Sequence, residues 1–255
     1  MKKILCFFGA LALVLTSCSS DDSSESTDAV LLPKKITETE VINGQSGSTT
    51  YTITYDGNKL KEIAVSDASR SVYTYTGDLI TKVEVYYSGI LNSTDVYAYE
   101  SGKLVSRITT REANKTIQDK LTFVYNANGT VNVNESDIIN RQEIKYDTTT
   151  LYTFSNGNIV SSEYINGERE KITSTFDDKK SPYTNITGVK ALLDLDYFDF
   201  YSANNTTKNV TVDYDSDGKV TQTATVENGI KYISNYFSEA FSGDTKNSSK
   251  LEVAY

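Results

Sequence analysis

Few of the side chains that attack, shuttle protons or hold metals at neutral pH occur in this 255-residue chain, which has no His and only two Cys, Cys6 and Cys18. Ser-His-Asp catalysis, Cys-His catalysis and His-ligated zinc are therefore outside its reach. Carboxylate chemistry remains. Asp194, Asp196 and Asp199 lie among apolar residues in ALLDLDYFDFY. Desolvation there can raise the pKa of one acid, as a glycoside hydrolase requires of one member of its carboxyl pair. The same three acids also read as the water-facing positions of an amphipathic segment. Asp213, Asp215, Asp217 and Gly218 copy the first half of a calcium loop, but its twelfth position, which should be a bidentate acid, is Ala224. DYDSDG reads more simply as a turn whose Asp side chains cap the backbone. The composition calls for no cofactor.

Aromatic chemistry is the other resource, with 19 Tyr and no Trp. Tyr51 and Tyr55, Tyr73 and Tyr75, and Tyr97 and Tyr99 recur as spaced pairs. A row of exposed Tyr on a rigid sheet stacks on sugar rings or anchors a partner at small entropic cost. Tyr is equally at home on a half-wet sheet face.

These pairs belong to a repeat. YTITYDGNKLKEI from Tyr51, YTYTGDLITKV from Tyr73 and YAYESGKLVSRI from Tyr97 share aromatic, gap, aromatic, a polar turn with Gly, then apolar residues. Counted from Gly57, Gly77 and Gly102, the third place is Leu60, Ile80 and Val105, and the sixth is Ile63, Val83 and Ile108. Weaker copies begin at Tyr125, Tyr152 and Tyr214. Alternation with period two is that of strands with one buried face, and the Gly turns supply the positive φ of tight hairpins. The expected fold is all-β, an extended or curved antiparallel sheet of successive hairpins. Ile186, Val189, Leu192, Leu193 and Leu195 recur at helical spacing, so one short helix is expected near residues 186–196, covering one face or end of the sheet.

Upstream, Lys2 and Lys3 precede an apolar run from Ile4 to Leu15. About 12 residues suit a secretory signal and fall short of the roughly 20 of a membrane-spanning helix. Leu15, Thr16, Ser17 and Cys18 resemble the lipobox of bacterial lipoproteins, in which cleavage before the Cys frees it for acylation. That likeness implies residues 1–17 as signal peptide and Cys18 as the lipidation site, and several acyl chains anchor stably. Cys6 leaves with the signal, so the mature chain has no free thiol. Residues 18–35 read as a flexible acidic Ser and Asp tether, and 36–255 as one domain.

The repeats, FDDKKSPY at 176–183 and NNTTKNVTVDYDSDG at 204–218 resemble Bacteroidota lipoproteins of unknown function built from tyrosine and aspartate repeats, related to the RHS or YD class. The acidic residues after Cys18 resemble the surface-export signal of such lipoproteins. The resemblance implies an outer-membrane lipoprotein at the cell surface, or facing the periplasm as the alternative, and lends no catalytic residue. With 25 basic against 34 acidic residues, the net charge of −9 argues against nucleic acid as a partner. The expected role is a non-enzymatic binding or scaffold module, with a glycan or an outer-membrane protein as partner. The alternatives are a carrier of an apolar ligand in a half-barrel and a carboxylate-dependent glycan hydrolase.

Overall fold

The computed structural model describes residues 30–42, 45–66, 68–166, 169–193, 202–227, 230–234 and 247–255. The expected signal segment, Cys18, most of the expected tether, Asp194, Asp196 and Asp199 lie outside the described residues. Sixteen strands account for nearly all of the rest. They are β1 (Lys35–Ile42), β2 (Gln45–Asp56), β3 (Lys59–Val65), β4 (Ser69–Thr76), β5 (Leu79–Tyr87), β6 (Ile90–Glu100), β7 (Lys103–Arg111) and β8 (Asn114–Tyr125). Then follow β9 (Val131–Ile139), β10 (Gln142–Ser155), β11 (Asn158–Tyr164), β12 (Arg169–Lys180), β13 (Asn204–Tyr214), β14 (Val220–Glu227), β15 (Ile230–Ser234) and β16 (Asn247–Ala254).

Every strand pairs antiparallel with its neighbours in sequence, as the hairpin repeat requires. The ladder returns on itself as a barrel, because β16 pairs with β1 over seven residues. Its shortest joint is β15 to β16, held by Ile230 against Ser248 and Lys231 against Asn247. The folded unit starts at Leu31, with Leu32 on the core and Pro33 buried, a little upstream of the expected boundary at 36.

Counting from the turn glycine fails in the third copy, and the turn type explains why. Gly57 and Gly77 are the first central residues of their turns, with φ of 59° and 58°. In the turns Ser101–Gly102 and Asn156–Gly157 both central residues have positive φ, so glycine is second. That is the distinction between II′ and I′ hairpins. A one-residue slip turns every side chain to the other face of the sheet. Leu104, not Val105, is therefore the fully buried residue of the third copy, and Arg107, not Ile108, shares the inner face with Tyr97. The three-residue step from Leu60 to Ile63 and from Ile80 to Val83 comes from a register shift in each hairpin, which lets both point inward.

The core fills one half of the barrel. Ile53, Leu60, Ile63, Tyr73, Ile80, Val83, Tyr97, Leu104, Phe123, Val131, Val133, Tyr152 and Ile159 all lie toward the end that carries the turns at Gly57, Gly77, Gly102, Gly129 and Gly157. The segment between β12 and β13 closes that end, with Tyr183, Ile186, Val189, Leu192 and Leu193 joining the same cluster. This plug takes the place of the expected helix. Among the described residues it contains a single 3₁₀ turn, Val189–Ala191. Gly188 at φ 86° and Pro182 interrupt helical hydrogen bonding, so the apolar spacing is satisfied by an irregular segment. It is stitched to the turn end through Thr187, whose N–H donates to the Asn58 carbonyl at 2.9 Å and whose carbonyl accepts from the Tyr75 hydroxyl at 3.1 Å.

Outer faces of the strands are wet and charged. Arg70 pairs with Glu62 at 2.8 Å, Lys82 with Glu84 at 3.0 Å, Lys120 with Glu143 at 2.8 Å and Lys171 with Glu163 at 3.0 Å. By register each of these residues alternates with an inward neighbour such as Ile63, Val83 or Ile172. Isolated surface pairs add little stability. In a barrel that crosses a bilayer, one lipid-facing Lys or Arg at mid-depth costs about 2–4 kcal/mol.

Candidate functional site

The six tyrosines expected to form an outward binding row are turned inward instead. Tyr73 and Tyr97 are core residues, and Tyr51, Tyr55, Tyr75 and Tyr99 pack against the same cluster. Three of their hydroxyls are committed to backbone. Tyr55 donates to the Pro33 carbonyl at 2.7 Å, Tyr99 to the Ile80 carbonyl at 2.7 Å, and Tyr75 to Thr187 while accepting from the Leu60 N–H at 2.9 Å. Tyr51 donates to Glu38 at 3.2 Å. Burial pushes the Tyr75 hydroxyl up to about 12, and that of Tyr55 higher still. A large ring with one polar tip fills a wide barrel end and closes a backbone group at the same time. The repeat thus encodes the core and not a recognition face.

The calcium-like spacing also resolves into structure. Asp215 Oδ1 accepts from the Asp217 N–H at 3.0 Å and from the Lys219 N–H at 2.9 Å, closing the turn between β13 and β14 as the capping reading expected. Asp217 sits in that turn, exposed, while Asp213 lies four residues earlier on β13. The three acids do not converge. Among the described residues no group of three His, Cys, Asp or Glu side chains is placed to hold a metal ion.

What the sequence did not mark is the opposite end of the barrel, away from the plug. There a cavity of about 1270 Å³ opens among β10, the turn after β11, the start of β12 and the turn between β13 and β14. Its walls include Tyr164, Asn166, Arg169, Glu170, Asp213 and Tyr214. The hydroxyl residues Thr148, Ser216 and Thr221 complete the lining. Beside it, among the described residues, β11 and β12 share three residue pairs, from Ser161 to Glu163.

Glu170 and Asp213 stand directly opposite each other on β12 and β13; the next rung, Arg169 opposite Tyr214, belongs to the other face of the sheet and meets the opening at its rim. Such partners have Cβ atoms about 4.5–5.5 Å apart. The Glu170 carboxyl is raised above the ordinary glutamate range, first by desolvation and then by the Asp213 charge beside it. Asp213 was marked in the sequence only as part of DYDSDG. Glu170, in GEREKI, carries no signal of its own, and the pair exists only through the register of two strands far apart in the sequence.

No known family model matches the sequence, and no curated protein is similar to it in sequence. Among solved structures the chain is similar to a porin-like protein from Bacteroides uniformis ATCC 8492, with 12% identity over 87% of this chain and 96% of that one, at a TM-score of 0.47. A protein of unknown function from Bacteroides fragilis NCTC 9343 shares 11% identity over 73% of this chain and 94% of that one, at a TM-score of 0.16.

Proposed function

We propose that this chain is a lipid-anchored β-barrel that stands in water outside the outer membrane, and that it acts there as a non-enzymatic binding module. Cys18 is the lipidation site in this reading. The observation that carries it is the polarity of the wall: ion pairs outside, an apolar core inside, one end plugged and the other open. The start of the folded unit is fastened to the barrel and its plug: the Leu31 carbonyl accepts from Asn185 Nδ2 at 3.1 Å and the Ile53 N–H donates to the Lys34 carbonyl at 2.8 Å. The cavity has no continuous apolar wall, which speaks against a carrier of lipid-like ligands.

Fractionation of cells tests the anchor. The wild-type chain should pellet with outer membranes and partition into detergent, and Cys18→Ala should appear in the soluble fraction. A Cys18→Ala protein that stays in washed membranes would contradict the reading, because the wall itself would then be the membrane contact. Protease shaving of intact cells separates the two leaflets: digestion places the barrel at the surface, and protection overturns surface display.

A further inference from the structure

The open cavity has more chemistry than a generic opening. We propose that it takes a neutral oligosaccharide, with Tyr164 and Tyr214 packing on sugar faces and Glu170, Asp213, Asn166 and Arg169 bonding to hydroxyls; this assignment rests on the binding-module reading. Three observations converge on that class. The lining mixes strong acceptors, the two carboxylates, with strong donors, the guanidinium and the amide, within a few residues of one another. Hydroxyl groups both donate and accept, so a polyol satisfies both kinds at once. Tyr164, on the same face as the two carboxyls, and Tyr214 at the rim supply ring faces for the C–H side of a pyranose without an apolar wall that would hold a lipid. Side-by-side carboxylates disfavour an anionic ligand, since bringing a third negative charge to a like-charged pair is unfavourable.

Size narrows the class further. About 1270 Å³ exceeds the 300–1,000 Å³ of ordinary small-molecule pockets, so a chain of several sugar units matches the space and a monosaccharide leaves most of it wet. Two acids facing each other across one rung are also the elements of a glycoside hydrolase pair. The experiment therefore has to separate binding from cleavage.

The full-length protein is applied to an array of neutral and anionic oligosaccharides that includes malto-, cello-, xylo- and manno-hexaose. The best neutral probe is then titrated calorimetrically against wild type, Tyr214→Ala, the near-isosteric Asp213→Asn and Glu170→Gln. The expected result is retention of a neutral oligosaccharide over its monosaccharide, an affinity loss of at least tenfold in Tyr214→Ala and Asp213→Asn, and unchanged far-ultraviolet spectra. Binding confined to anionic glycans, no binding to any glycan, or affinities that ignore the substitutions would overturn the proposal. A blank array with the anchor test passed removes the sugar assignment alone. New reducing ends released by wild type and lost in Glu170→Gln would instead remove the non-enzymatic reading and make the pair catalytic.

Discussion

Gly188→Ala isolates how the plug is held. An alanine Cβ at this position would lie 2.6 Å from the Asp78 carbonyl oxygen, 3.1 Å from a Tyr75 ring carbon and 3.4 Å from Ile80. The nearest atom is backbone in the β4–β5 turn, so it cannot swing aside as a side-chain tip would. Ala at φ 86° costs roughly 1–2 kcal/mol by itself. Backing the plug away from the clash loosens the Thr187 bonds to Asn58 and Tyr75, each worth about 1 kcal/mol net. The expected loss is about 3–4 kcal/mol. Gly129→Ala is the control, because Gly129 has nearly the same φ of 84° and an alanine Cβ there would meet nothing within 4 Å. It should lose only the conformational part, roughly 1–2 kcal/mol. Guanidinium unfolding followed by circular dichroism measures both, and at roughly 2–4 °C per kcal/mol the Gly188 variant should melt about 6–16 °C lower than wild type. Equal losses in the two variants would refute the packing argument and detach the plug from the barrel's stability.

Strand register sets a second prediction. Leu104→Ala should cost about 2–5 kcal/mol, as for a fully buried leucine, while Val105→Ala on the outer face should cost under about 1 kcal/mol; equilibrium unfolding that reverses this order would restore the glycine count. Glu170 supplies the third. Its pKa is raised in the fold, so its ionised form is destabilising, a penalty absent at pH below the ordinary glutamate range and complete above the raised value. Glu170→Gln should therefore raise the melting temperature relative to wild type at pH 8 and not at pH 4. A gap that does not widen with pH would mean that Asp213 and burial do not act on Glu170.

Strand existence and connectivity were legible because both are local. Alternation in YTITY and VTVDY needs only neighbouring residues, and a Gly turn between two such runs joins them as a hairpin whatever else the chain does. The plug was half legible: its apolar residues were named, but Gly188 and the fit to Tyr75 and Ile80 decided against a helix. The tyrosine row was assigned to the wrong side of the wall. Pattern alone shows that one face differs from the other and not which one meets water, and 19 Tyr without Trp suit either.

The chain's order of residues by itself determined an all-β ladder of hairpins, an apolar N-terminal run with Cys18 shortly after it, and a chain without histidine or any Cys beyond residue 18. Tertiary structure alone decided which face turned inward, the return of the ladder through β16 to β1, and the meeting of Glu170 with Asp213. The physical reason is range. Alternation and turn chemistry act over a few residues, whereas facing is fixed by a one-residue choice of turn type and the Glu170–Asp213 pair by the register of two strands separated by the whole plug segment.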